Sequence, residues 1–199
     1  EFNAYGELVK ITDKESGMEF LSDVSNRFRV YRNSPTFFDA WDIDSFYEKV
    51  EVPLADATIE SECQGELLSS LVITKKINKS ELKQRVMLRK DSRRLDFETT
   101  VDWKETHRFL KTHFYPNIHT EEITSEIQFG YAKRPTHRNK QYDRDRYEAC
   151  QHKWSALCEA KRGFAILNDC KYGIAAEDNN MSLTLMNGGA CSDLSADRG

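Results

Sequence analysis

The stretch RLDFETTVDW, residues 94–103, decides the fold class. Leu95, Phe97, Thr99, Val101 and Trp103 fall on one side of an extended chain, and Asp96, Glu98, Thr100 and Asp102 on the other, because successive side chains of a strand point to opposite faces. Alternation of this kind marks an antiparallel strand with one face in a core and the other in water. Working outward, similar short runs recur upstream at 26–32, 49–53, 58–63, 67–77 and 81–88, the last with Leu82, Val86 and Leu88 on one face. Residues 8–21 carry a hairpin pattern with a turn before Met18. Downstream the runs fall at 109–115, 122–129, 147–154, 163–168 and 181–186. Helical periodicity is limited to a turn or two near 103–110 and 143–148. Roughly a dozen short strands separated by turn chemistry predict an all-β domain, a sandwich or a barrel, with residues 1–199 as a single domain.

Composition narrows the function classes. A hydrophobic share of 39% with 11 Phe, 8 Tyr and 3 Trp can furnish a core, and 31% charged residues predict a soluble chain. The net charge of −4, with both signs interspersed, gives no broad positive field for nucleic acid. There is no run of 18 apolar residues, so no membrane-spanning helix is expected. Five scattered cysteines, an odd number, and no secretory leader predict a reducing, cytoplasmic setting. The abrupt start at Glu1, without Met, predicts a piece of a longer polypeptide.

The densest polar chemistry lies in EIQFGYAKRPTHRNKQYDRDRYEACQHKW, residues 126–154. It reads as the end of one strand, a turn at Gly130, a basic loop interrupted by Pro135, and a second strand. Within ten residues Lys133, Arg134, His137, Arg138, Asn139 and Tyr142 exceed what a tight hairpin needs, and long polar loops between strands tend to carry function. A second cluster sets Asp39, Asp42 and Asp44 around Trp41. Carboxylates beside an aromatic face suit sugars, whose C–H groups stack on the ring while the carboxylates take up hydroxyls; the plain alternative is an Asx-rich turn.

A metal site finds little support. His107, His113 and His119 are spaced by six, which on one strand separates them by roughly 20 Å, too far to share an ion. Cys150, His152 and Cys158 lack a CxxC pair, and buried thiols are common. No G-x-S-x-G, Walker or G-x-G-x-x-G motif occurs.

DAWDID (39–44), EIQFGYAKRPTHRN (126–139) and LNDCKYG (167–173), supported by VDWKETHRFLK (101–111) and the terminal SADRG (195–199), resemble the C-terminal β-domain of glycoside hydrolase family 38, the α-mannosidases. The likeness is greatest to the branch with cytosolic, vacuolar and many bacterial members, and it runs in the family's order along nearly the whole chain. The resemblance implies an antiparallel supersandwich of the galactose-mutarotase-like kind, cut short at its C-terminal edge. It also implies retaining hydrolysis of terminal α-linked mannose by an aspartate nucleophile and a zinc ion, both supplied by an N-terminal barrel outside this chain. No catalytic residue and no metal ligand are then expected here. The domain's partners would be that barrel and mannosyl glycans, and its substrate-binding candidates are Asp39, Trp41, Asp42, Asp44, Arg134 and His137. The family commonly reads LLRAP or LLRSP where this chain has LMNGG, so Asn187 stands in place of an arginine. A missing last strand would leave an edge able to pair with a second copy. The alternative reading is a free-standing carbohydrate-binding or structural module.

Overall fold

The computed structural model describes residues 1–33, 43, 45–52, 54 and 56–189. The strands in chain order are β1 (Arg27–Arg32), β2 (Glu51–Val52), β3 (Ala57–Gln64), β4 (Leu68–Ile77), β5 (Ser80–Arg89), β6 (Leu95–Asp102), β7 (Arg108–Phe114), β8 (Glu122–Ile127), β9 (Gly130–Pro135), β10 (Ala149–Cys150), β11 (Trp154–Cys158), β12 (Gly163–Leu167), β13 (Gly173–Glu177) and β14 (Asn180–Gly188). A 3-10 turn spans Tyr47–Lys49, and one short helix, α1, spans Gln141–Arg144. Every strand pairing described is antiparallel. Contacts divide the chain into two compact units, Phe2–Glu7 with Pro53–Thr106 and, separately, Glu1, Leu8–Val52 and His107–Gly199.

The first of these units is the meander β3-β4-β5-β6. Leu82 lies opposite Val101 and Lys75, and Val86 opposite Phe97 and Leu71. Ile73, Leu82 and Val86 are buried on that face, whereas Phe97 is half-buried. The expected split of 94–103 is therefore present but shallow. Its other face is not bare to water. Arg85 bonds Glu62 through Nε and Nη2 and reaches Glu98 from Nη1 (2.9 Å), and Arg89 and Arg94 pair with Asp96. Glu105, buried at 8% exposure, accepts from Asn78 Nδ2 (2.9 Å), the Lys79 amide (2.8 Å) and Ser80 Oγ (3.0 Å), clamping the β4–β5 turn where Asn78 takes φ 50°. Gly6 has φ 70°, and a Cβ there would come within 2.5 Å of Ile73 Cγ2, so only glycine fits.

The other unit holds a six-stranded sheet, β10-β13-β14-β7-β1-β2, and a four-stranded sheet, β12-β11-β8-β9. β7 is central and buried along most of its length. One face of the six-stranded sheet, with Phe28, Val30, Leu110, Phe114, Met181 and Leu183, is apolar. Phe114 meets Phe164 of β12 at 6.0 Å, so the two sheets close on this core. The opposite face carries Arg29, Tyr31, Phe109, Lys111 and His113.

Several sequence expectations need correction. Residues 8–21 form only isolated bridges, Thr12 with Glu19 and Leu8 with Ser25. The turn after β8 falls at 128–129, and Gly130 to Pro135 is strand β9, not the start of a loop. Residues 147–154 hold a two-residue strand, and the longer strand lies at 154–158. β13 was not foreseen, 103–110 has no helix, and α1 precedes the 143–148 span by two residues. β14, the last strand described, has β13 on one side and β7 on the other, so it presents no free edge for the self-pairing expected there.

Candidate functional site

The polar face of the six-stranded sheet places Lys111 at its middle. Its side chain is fully enclosed, and its ammonium contacts Glu148 and donates to Tyr47 Oη at 3.2 Å. Tyr47 in turn donates to Glu148 Oε1 at 2.6 Å. The rings of Tyr47 and Phe109 lie 5.5 and 5.4 Å from Nζ, adding cation–π attraction. Tyr31 meets Tyr47 edge-on at 5.1 Å, and Tyr47 meets Phe109 at 5.2 Å. Burial draws the Lys111 ammonium down to about 7, opposed by Glu48. Burial also raises the Tyr47 phenol well above its ordinary value and brings that of Tyr31 to about 12.

Next to it, His113 Nε2 lies 3.1 Å from Tyr31 Oη and Nδ1 lies 3.2 Å from Asn180 Oδ1. Only a proton on Nδ1 satisfies the amide oxygen, so Nε2 accepts from the phenol. Burial, then Lys111 and Arg29, push this histidine down to about 3 and keep it neutral.

This face also holds described residues that flank the carboxylate-rich stretch. At the entry, the backbone amide of the buried Asn33 donates to the His107 carbonyl (3.0 Å), and its Nδ2 donates to Asn187 Oδ1 (2.9 Å). At the exit, Tyr147 Oη donates to the Ile43 carbonyl, and Tyr47 is seated as above. Arg138 then forks onto Glu48 with both terminal nitrogens (3.2 and 3.1 Å) and reaches Glu177 at 3.3 Å, tying the 3-10 turn to β13.

The structure places the predicted residues unequally. Asp39, Trp41, Asp42 and Asp44 lie outside the described residues. Arg134 stands on the edge strand β9, where Nη2 donates to the Cys150 carbonyl (3.1 Å) across to β10. It lines an open cleft of about 360 Å³ with Lys133, Arg146, Glu148 and Cys150. His137 sits 3.6 Å from Asp143 at α1, too long for a hydrogen bond. Among the described residues no group of three or more His, Cys, Asp and Glu is arranged to hold a metal ion.

Lys111, Glu148, Tyr47 and Arg138 were missed as a group. Their separations along the chain left no local pattern; the one available sign was a lysine set between Phe109, Leu110 and Phe114 in the strand RFLKTHF. Two of the motif words serve as scaffold. Asn168 Nδ2 donates to the His152 carbonyl, the Gln151 amide to the Tyr172 carbonyl, and the Lys153 amide to Glu126, while Ser155 Oγ bridges Ser125 and Gln151. EIQFGY and LNDCKYG are thereby stitched together.

Residues 1–191 match the family model for the C-terminal domain of glycosyl hydrolases family 38. Among curated proteins the chain is 35% identical over 199 residues to alpha-mannosidase 2C1 of Mus musculus, and 32% identical over 211 residues to an alpha-mannosidase of Saccharomyces cerevisiae. Each alignment covers 98% of this chain but 19% of the relative, so the chain spans about a fifth of their length. Among solved structures, an alpha-mannosidase from Enterococcus faecalis V583 shares the fold with a TM-score of 0.75 at 16% identity, over 95% of this chain and 24% of that one. A glycosyl hydrolase family 38 protein from Enterococcus faecalis gives 0.77 at 15%, over 95% of this chain and 25% of that one.

Proposed function

The chain belongs to glycosyl hydrolase family 38, as its C-terminal domain, and on that premise we propose that it is the β-domain of a retaining α-mannosidase that removes terminal α-linked mannose. In this reading the domain walls the sugar pocket and braces the catalytic barrel. The observation that carries it is that Asn33, Ile43, Tyr47 and Glu48, described residues that flank the carboxylate-rich stretch or lie close to it in sequence, are all held on one polar sheet face. Three aspartates and a tryptophan between such anchored neighbours are the residue types that grip a sugar.

Asp39 and Asp42 accept hydrogen bonds from mannose hydroxyls, Trp41 offers its ring to the sugar's C–H face, and Asp44, Arg134 and His137 complete the wall. The nucleophile, the acid and any zinc ion come from residues outside this chain; the described residues do not suit a metal, since Glu148 is held by Lys111 and Glu48 by Arg138. The four described cysteines are free thiols and exposed, which supports a cytoplasmic setting.

In the complete polypeptide, Asp39→Asn and Asp42→Asn should each lower kcat/KM by about 10- to 150-fold, the worth of one hydrogen bond to a charged acceptor. Denaturation midpoints should stay in place. Unchanged kinetics in both variants would remove the stretch from the site, and a parallel loss of stability would make it a brace only.

A further inference from the structure

The cleft beside β9 holds more positive charge than its own carboxylate can answer. Lys133, Arg134 and Arg146 line it with Glu148. Glu148 is engaged by Lys111 and Tyr47, and Lys133 pairs with Glu122 at 3.0 Å. Two guanidinium groups remain. Nη1 of Arg134 is sealed from solvent and has no acceptor among the described residues, although Nη2 donates to the Cys150 carbonyl. Arg146 lies 4.0 Å above the Tyr142 ring, a stacking that leaves its in-plane N–H groups available. A buried guanidinium N–H without an acceptor is costly, and two cations on one cleft repel unless an anion sits between them.

We infer that this cleft binds one anionic group, a carboxylate or a phosphate, gripped by Arg134 and Arg146. Planar or tetrahedral oxyanions match the fork of Arg146 and can take the single unsatisfied N–H of Arg134, and about 360 Å³ is ample for either. The inference goes beyond the sugar-binding reading and does not depend on it. The group can be a small anion from solution or an acidic side chain of the longer polypeptide. Its rival is a single water in the void of about 20 Å³ behind the two arginines, which would satisfy Nη1 alone.

The test uses the complete polypeptide and inorganic phosphate in equilibrium dialysis at constant ionic strength, with thermal unfolding alongside. For a small-anion site, one phosphate binds per chain, and Arg146→Gln and Arg134→Gln each weaken it by about 10-fold or more. Where an acidic side chain already fills the cleft, no phosphate binds, and Arg146→Gln lowers the Tm further than Tyr142→Leu, which removes only the stacking. Phosphate binding indifferent to both arginine variants overturns the inference. So does a lack of binding combined with equal Tm losses in Arg146→Gln and Tyr142→Leu, the result expected of the water.

Discussion

Replacing Lys111 by methionine removes a cation with 0% exposure and strands Glu148, whose side chain is 14% exposed. The stranded carboxylate has an escape, because it can take up a proton, and that escape caps the penalty. From an ordinary glutamic acid value near 4.3, holding the proton at pH 7 costs about 3.7 kcal/mol, falling to about 1 kcal/mol at pH 5. Glu148→Gln strands the ammonium instead, which escapes by losing its proton. From an ordinary lysine value near 10.4 the cap is about 5 kcal/mol at pH 7 and about 2 kcal/mol at pH 9. The two variants should therefore slope in opposite directions, Lys111→Met costing less in acid and Glu148→Gln less in alkali. The burial that already draws Lys111 down to about 7 makes the second escape the readier one. Lys111→Met combined with Glu148→Gln leaves no charge to strand, and should lie within about 1.5 kcal/mol of the parent. Denaturant unfolding of the four proteins at pH 5, 7 and 9 reads all of this. Single-variant costs that simply add in the double variant at every pH, or that share one pH slope, would refute a coupled buried pair.

Three further outcomes follow from the same geometry. His113 is held near 3 in the folded chain, against about 6.5 unfolded, so the unfolded state gains the extra proton and stability falls as pH drops from about 6.5 toward 3; about 2 kcal/mol should be lost by pH 5, and His113→Gln should flatten that window in denaturation curves. Glu105→Ala leaves Asn78, the Lys79 amide and Ser80 without their acceptor and should cost about 2–4 kcal/mol, part of it recovered by Glu105→Gln; a midpoint within error of the parent would show that the β4–β5 turn holds without the clamp. Phe97→Ala, at a half-buried site, should cost about half of the 3–5 kcal/mol of a fully buried ring, while Glu98→Ala should stay within about 0.5 kcal/mol because Arg85 keeps Glu62; equal effects would mean that the two faces of β6 are not distinct.

How far the sequence led depended on whether a strand's two faces differ in chemistry. β5 and β6 were legible because one face of each is largely apolar and the other largely charged. β7 was legible as a strand, but the burial of its lysine and histidine was not, since the glutamate, tyrosine and asparagine that satisfy them lie 37, 64 and 67 residues away. β9 reads as a loop in the sequence because Gly130, Pro135 and its basic residues imitate turn chemistry; as an edge strand it tolerates all three, with Pro135 as its last residue. The site shows the same limit. Arg134 and Arg138 both stood out by local density, but Arg138, like Glu148, acquires its role only from partners brought in by the sheet.

The position of β14 bears on how the chain comes to be folded. The six-stranded sheet joins residues 27–32 to 108–114 and those to 180–188, so its middle is closed by the last strand described to leave the ribosome. Until residue 188 has emerged, β7 has an open flank of unpaired amides and carbonyls, the kind of edge that recruits strands from other chains. The β3–β6 meander needs only neighbours in sequence and can form early. Synthesis that stalls before residue 180 therefore yields a chain that carries every strand of the two four-stranded sheets but leaves the six-stranded sheet split at its centre.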